Sequence, residues 1–305
     1  QQHRRMHNKL WLADNSAAIV GGRNLGDEYF DAKPDLNFTD MDLLCIGPVA
    51  EQLGHSFDQY WNSALSQSIS DFQINKPTAQ DLRESRQRLE QSLQSSRTEH
   101  RALYDHLMTY QTRPQFETWR KQLIWAHGTA MWDAPSKVLA DGEPARALLM
   151  ATQLRPELDG VSNELIMMSA YFVPQKSGMD YLLGRADAGV DVRLLTNSLE
   201  ATDVPAVHGG YAPYRKTLLE HGVKLYELRR QPEDTGRSSS FGFSGGSVSS
   251  LHTKAMILDR QKVFIGSFNF DPRSLFWNTE VGVLVDSPEL AGYVRGVSSG
   301  PLAPM

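Results

Sequence analysis

Leu251–Asn269 reads LHTKAMILDRQKVFIGSFN, and Met6–Asn24 reads MHNKLWLADNSAAIVGGRN. Both obey one rule, HxKxxxxD followed by G[GS]xN. The first copy supplies His7, Lys9, Asp14, Gly21, Gly22 and Asn24, and the second supplies His252, Lys254, Asp259, Gly266, Ser267 and Asn269. A lone HxKxxxxD arises by chance at roughly one position in several thousand and carries little weight. Two copies that share the same downstream glycine and asparagine mark an internal repeat. A repeat kept for folding alone would not need the histidine and the lysine.

The local pattern says how each copy is built. KLWLA (Lys9–Ala13) and AAIVG (Ala17–Gly21) are apolar, partly β-branched and separated by the turn formers Asp14 and Asn15, so they read as paired strands. Residues two apart on a strand share a face, which points His7 with Lys9, and His252 with Lys254, into one place. Downstream, FTDMDLLCIGPVA (Phe38–Ala50) overlays WNTEVGVLVDSPELA (Trp277–Ala291), with Thr39 and Asp40 on Thr279 and Glu280, and Pro48 on Pro288. Each copy therefore brings an acid to the start of its next strand. A carboxylate that accepts the Nδ1 hydrogen of an imidazole leaves Nε2 free to react. The expected pairs are Asp40 with His7 and Glu280 with His252.

Composition bounds the possibilities. The 305 residues are 40% hydrophobic and 22% charged with a net charge of -5, an ordinary globular balance that argues against a broad nucleic-acid footprint. Cys45 is the only cysteine, so no intrachain disulfide forms, and its apolar setting reads as core. No run is long enough to span a bilayer and no signal peptide is evident. With no HExxH or paired ligand spacing, no metal site is expected. His55, His100, His106 and His127 read as surface histidines.

Four segments are expected: residues 1–74 as the remainder of a first repeat, 75–120 as a helical connector, 121–298 as a second repeat, and 299–305 as a tail. Proline and glycine are absent between Thr78 and Met108, which reads as a long solvated helix or helix pair. The second half alternates: strand over Gln122–Trp132, helix over Glu143–Leu158, strand over Glu164–Ala170, helix over Gly178–Ala188, strand over Asp191–Thr196, helix over Tyr211–His221 and strand over Val223–Leu228. That alternation predicts an α/β fold with a mostly parallel sheet covered by helices. A Ser/Gly-rich loop over Arg229–Ser250 then leads to the His252 strand, and its Phe241 and Phe243 suit a lid over the site. Repeat symmetry places about 90 further residues ahead of His7, and half a sheet without its partners is expected to be unstable or inactive.

The paired sets supply a nucleophile, a general acid, two cations and several donors, a combination that suits a phosphodiester. Lys9, Lys254, Asn24 and Asn269, with Ser267 as an extra donor, would hold the equatorial oxygens of a phosphoryl transition state. One neutral imidazole would attack phosphorus and the other would move the leaving-group proton. Symmetry alone does not choose between them.

These motifs resemble the phospholipase D superfamily, and VGGRNLGDEYF, AYFVP, VRLLTNSL, LHTKAMILD and GSFNFDPRS are similar to bacterial cardiolipin synthases, most closely the C type. The resemblance implies two phospholipase D-like repeats related by a pseudo-twofold, with the active site at their seam. It also implies metal-independent phosphatidyl transfer between phospholipids through a phosphohistidine, with no cofactor. His7 would be the nucleophile and His252 the acid and base, with Asp14 and Asp259 completing the catalytic motifs in a largely structural role. Phosphatidylglycerol would be the substrate, with phosphatidylethanolamine as a C-type donor, on the cytoplasmic side of a bacterial inner membrane that the protein touches peripherally. Hydrolytic phospholipase action, a phosphodiesterase or nuclease, and a non-catalytic lipid binder are the alternatives.

Overall fold

A computed structural model describes residues 4–30, 33, 36–72, 76–99, 101, 104, 105, 108, 120–229 and 248–298. The expected lid phenylalanines, Phe241 and Phe243, and His100 and His106 lie outside them. The chain divides into two compact units, residues 64–125 and residues 1–63 with 126–305.

The first motif opens with β1 (Leu10–Ala13) and β2 (Ala17–Gly21), which form an antiparallel hairpin in which Trp11 faces Ile19. Asp14 and Asn15 at its turn both have φ of 52°. The second motif repeats the device: β10 (Lys254–Leu258) and β11 (Lys262–Gly266) meet at Asp259 and Arg260, with φ of 51° and 59°. Two successive left-handed residues match the twist of a hairpin, and Asp and Asn tolerate that conformation better than most side chains. Both motif aspartates are thus turn formers.

Between these hairpins run β3 (Leu36–Thr39), β4 (Asp42–Ile46), helix α1 (Pro48–Trp61), β5 (His127–Trp132), α3 (Met150–Asp159), β6 (Glu164–Ser169), α4 (Gln175–Asp187), β7 (Asp191–Asn197), α5 (Pro205–Tyr211), α6 (Arg215–Glu220), β8 (Lys224–Leu228) and β9 (Val248–Leu251). The intervening α2 (Ala79–Glu99) belongs to the smaller unit. After β11 come β12 (Val281–Asp286) and α7 (Pro288–Ser298). The main sheet has seven strands in the order β5-β12-β11-β10-β6-β7-β8, and β1-β2-β4 form a three-stranded sheet.

The sheet is mixed, which corrects the mostly parallel expectation. Only β6, β7 and β8 run parallel, and the pairs β10–β6, β10–β11, β11–β12 and β12–β5 are antiparallel. Parallel neighbours need a crossover, which α4 and then α5 with α6 provide, whereas the three-residue connection of the motif enforces an antiparallel pair. Two sequence boundaries also move: Gln122 lies in a helical turn and β5 starts at His127, while α3 starts at Met150 after a short 3-10 turn at Arg146–Leu148.

Alternation along the strands divides the core. Met256, Leu258, Phe264, Met167 and Leu194 join Met150, Leu154, Met179 and Leu182 of the helices in one cluster. Ala255, Ile257, Val263 and Ile265 point the other way, to Ala291 and Val294 of α7 and to Met41 and Leu43. On that same side Val281, Val283 and Val285 pack against Ala18, Val20, Cys45, Ala50 and Leu53. The first motif hairpin and α1 are therefore bound to the strands of the second repeat through a shared apolar layer.

In the smaller unit α2 buries none of its residues. Thr78 and Asp81 form a reciprocal capping box at its start, with Thr78 N donating to Asp81 Oδ2 at 2.7 Å and Asp81 N to Thr78 Oγ1 at 3.2 Å. Among the described residues no helix is long and apolar enough to cross a membrane.

Candidate active site

The segment entering each motif pairs with the segment entering the other repeat's acid. Leu251 on β9 lies parallel to Thr39 on β3, and Met6 makes a parallel bridge to Thr279. The backbone repeats the relation: His252 N donates to Thr39 O at 2.8 Å, and His7 N donates to Thr279 O at 3.0 Å. Each histidine is thereby set against the acid one residue beyond its partner threonine, an acid from the opposite repeat.

This crossing reverses the expected pairs. His7 Nδ1 lies 2.9 Å from Glu280 Oε2, and His252 Nδ1 lies 2.7 Å from Asp40 Oδ2. Asp40 does not orient His7, nor does Glu280 orient His252. Overlaying the copies identifies the right acids but compares each repeat only with itself. In both dyads the carboxylate assigns the Nδ1 hydrogen and leaves Nε2 as the reacting atom.

The two lysines are held alike. Lys9 Nζ donates to the His7 carbonyl at 2.7 Å, and Lys254 Nζ donates to the His252 carbonyl and lies 3.1 Å from His252 Nδ1. Burial lowers the Lys9 pKa to about 7, opposed by Glu280 and helped by Lys254 and Arg5. Burial also lowers Lys254, against Asp40 and Glu280. His7 falls below its ordinary range, mainly through burial and against Glu280, and His252 falls to about 2 through burial, Lys254 and Lys9. His7 itself contributes to the depression of His252, so the two motifs share one electrostatic site.

The remaining expected residues divide. Asn24 Nδ2 donates to the Tyr29 hydroxyl at 2.6 Å, and Asn269 Oδ1 accepts from Tyr171 N at 3.3 Å while the residue is buried. Ser267 is not aimed at a phosphate: its hydroxyl donates to Glu280 Oε2 and accepts from Val281 N at 3.0 Å. It steadies the acid that steadies His7. Asp14 and Asp259 sit at the hairpin turns, and Asp259 is separated from Lys254 by about 17 Å of strand. The Asp259 carboxylate accepts the N–H groups of Ser162, Asn163 and Glu164 at 2.9, 2.7 and 2.9 Å, fixing the entry of β6. Both aspartates stand at the turn end of their hairpins, away from the motif histidines.

Three residues carry weight that no motif announces. Asp133 and Lys137 form an ion pair of 2.8 Å with both side chains 1% exposed. Asp133 also accepts the Glu280 N–H at 2.7 Å and the Met150 N–H at 2.6 Å, and Lys137 donates to Ser274 O at 2.8 Å. The pair pins the backbone of Glu280, and only its i, i+4 spacing is visible in sequence. Asn197, in the TNS segment of β7, clasps Leu251 by both backbone groups at 2.8 Å and so fixes the strand that presents His252.

Residues 154–297 match the family described as cardiolipin synthase, PLD-like domain. The chain is 38% identical to cardiolipin synthase C of Escherichia coli over 95% of its own length and 60% of that protein. It is 26% identical to cardiolipin synthase A of Pseudomonas aeruginosa over 98% of its length and 46% of that protein, so it spans about half to three-fifths of these relatives. In fold it is similar to the phosphatidylserine synthase of Haemophilus influenzae, with a TM-score of 0.60 at 11% identity, covering 98% of this chain and 63% of that one. Residues 154–297 are therefore a PLD-like domain of the cardiolipin synthase family.

Proposed function

We propose that this chain carries the catalytic centre of a phosphatidyltransferase that joins phospholipids into cardiolipin. The observation that carries the reading is the pair of crossed dyads, His7–Glu280 and His252–Asp40, each with its lysine, Lys9 or Lys254, held on the histidine carbonyl. Two oriented imidazoles and two cations match the needs of a phosphodiester exchange that conserves protons.

In this reading His7 Nε2 attacks phosphorus of the donor lipid, and Glu280 stabilises the positive charge that builds on the ring. The Glu280 carboxyl suits that role: burial pushes its pKa up, but His7, Ser267 and Ser274 bring it below the ordinary range. Lys9, Lys254, Asn24 and Asn269 hold the non-bridging oxygens. His252 gives a proton to the departing alkoxide as the P–O bond breaks and the P–N bond to His7 forms. It then takes the proton of the acceptor alcohol, whose oxygen displaces His7. A bound phosphodiester brings the negative charge that offsets the lysines around His252, so the imidazolium loads as substrate arrives and is a strong acid when it does.

Phosphatidylglycerol is the acceptor, and phosphatidylethanolamine or a second phosphatidylglycerol is the donor. The protein meets these lipids by peripheral contact, with exposed Leu25 and Phe30 beside the Asn24 segment as apolar contacts on the cytoplasmic side. The test uses the intact protein on vesicles of labelled phosphatidylglycerol with and without phosphatidylethanolamine, in the presence of a chelator. Labelled cardiolipin and an acid-labile histidine phosphate, both lost in His7→Asn, support the reading. Phosphatidic acid alone would replace it with hydrolysis, and loss of activity to the chelator would remove metal independence.

A further inference from the structure

The crossed dyads are alike in backbone, but their reacting nitrogens face different surroundings. Tyr29 is buried, with its ring edge-on to His252 at 5.0 Å between centroids, and Phe38 packs beside it, 4.8 Å from the Tyr29 ring and 5.1 Å from that of His252. The Tyr29 hydroxyl receives the Asn24 amide at 2.6 Å and stands 3.5 Å from His252 Nε2. Arg23 fixes the segment from behind by donating to Asp42 at 2.6 Å and to the Tyr29 carbonyl. The corresponding position after Asn269 is Ser274, whose hydroxyl accepts the Asn269 N–H at 3.2 Å. His252 therefore has a phenol at its Nε2 that the second repeat does not offer to His7.

Building on the transfer chemistry above, we propose that Tyr29 is a catalytic residue of the His252 half-site, a hydroxyl that holds Nε2 in whichever protonation state the cycle has reached. With neutral His252, Nδ1–H is given to Asp40 and the Tyr29 O–H donates to Nε2. With protonated His252, the hydroxyl turns and accepts the Nε2 hydrogen, while Asn24 keeps the oxygen in place. In the first step Nε2–H leaves Tyr29 for the departing alkoxide, and the hydroxyl swings back to donate. In the second step the acceptor alcohol gives its proton to Nε2 as its oxygen bonds phosphorus and the P–N bond to His7 breaks. One proton leaves His252 and one returns, and Tyr29 keeps its own.

The 3.5 Å separation lies at the outer edge of hydrogen bonding, as resting catalytic contacts often do before substrate tightens them. Tyr29 remains a hydroxyl at neutral pH, because burial raises its pKa against the Asn24 contact. The charged groups that act on His252 come from several elements: Asp40 after β3, Lys254 beside it, Lys9 and His7 of the first motif, and Asp203 before α5. Among them Tyr29 is the neutral group able both to give and to accept.

Tyr29→Phe keeps the ring and removes only the hydroxyl, and two leaving groups separate proton transfer from packing. On phosphatidylglycerol vesicles, whose alkoxide needs a proton, turnover of the intact variant should fall roughly tenfold or more with little change in KM. The burst of nitrophenolate from bis(p-nitrophenyl) phosphate, whose leaving group departs unprotonated, should slow less than about threefold. His252→Ala should show the same split. Equal slowing on both substrates, or wild-type turnover on both, would overturn the proposal. The contact has a readout independent of turnover: the 15N resonance of His252 Nε2 should move in Tyr29→Phe, and an unmoved resonance also overturns it. Wild-type protein inert on both esters would count against the transfer reading, while the resonance still tests the Tyr29 contact.

Discussion

The His7–Glu280 and His252–Asp40 dyads share a backbone plan and differ in how the acid is kept. Glu280 receives the Ser267 hydroxyl, and its own N–H is tied to Asp133. Asp40 receives the Met41 N–H at 2.9 Å, and the residue matching Ser267 is Gly22, where a Cβ would stand 2.6 Å from Asp40 Oδ2. The shorter acid lies against the chain where the longer one leaves room for a hydroxyl. Fewer compensating donors leave burial in command, and the Asp40 pKa is pushed up to about 6, while that of Glu280 falls below the ordinary value. A duplicated motif thus yields one dyad whose carboxyl is held below its ordinary pKa by its donors and one whose carboxyl is pushed above it by burial. The contrast supports the roles proposed for them, His7 attacking and His252 moving the proton.

The most severe way to break this comparison is to neutralise each acid in turn. Glu280→Gln should lower turnover by roughly 10³- to 10⁴-fold, the scale seen when the acid behind a catalytic histidine becomes an amide. Asp40→Asn should cost about tenfold less, because its carboxyl already titrates near 6. Steady-state rates on one phosphodiester measure both, and the opposite ranking would mean that the dyads have been given the wrong roles.

The Glu280 backbone is held by a fully buried ion pair, Asp133 with Lys137, whereas the Arg23–Asp42 pair beside Asp40 is partly exposed. Lys137→Met leaves Asp133 buried without its cation, and removing one partner of such a pair costs about 3–5 kcal/mol. Denaturant unfolding measures it, and a loss below about 1 kcal/mol would show that the pair contributes little.

A finer change makes the two sides resemble each other. Ser267→Gly removes a donor that holds the Glu280 pKa down. Activity that needs ionised Glu280 is lost as pH falls through its pKa, so raising that pKa moves the loss to higher pH. The acidic limb of kcat/KM should shift upward by roughly one pH unit, about 1.4 kcal/mol. A limb that stays in place or moves down would detach Ser267 from the dyad.

These contrasts also mark what the sequence could convey. The hairpins, their turns, the shared face of His7 with Lys9, and the acids Asp40 and Glu280 are legible because period and spacing are local. The crossing of Thr39 with Leu251 and of Thr279 with Met6 is not local, so each acid was matched to the wrong histidine. Ser267 looked like a phosphate donor for the same reason, since its true acceptor approaches from β12. Asp133, Lys137 and Asn197 act through backbone groups of other segments, a role that leaves no signature in residue type. Tyr29 lay inside the quoted VGGRNLGDEYF, but only the folded chain brings its hydroxyl to His252.

The lysines give the mildest contrast. Lys254 is 1% exposed and fixed on His252, whereas Lys9 lies nearer the surface with its pKa lowered to about 7. A pKa near 7 takes the charge from Lys9 as the solution becomes more basic, and under the proposed function its hold on an anionic lipid should weaken with it. KM for phosphatidylglycerol should rise between pH 7 and pH 9, by at most about tenfold per pH unit, with kcat less affected. Lys9→Arg keeps the charge throughout this range and should flatten the dependence, at some loss of rate because a planar guanidinium cannot reproduce the contact with the His7 carbonyl. A KM in the parent protein that does not change with pH would mean that substrate binding does not depend on the Lys9 charge, and Lys254 alone would then serve as the anchoring cation.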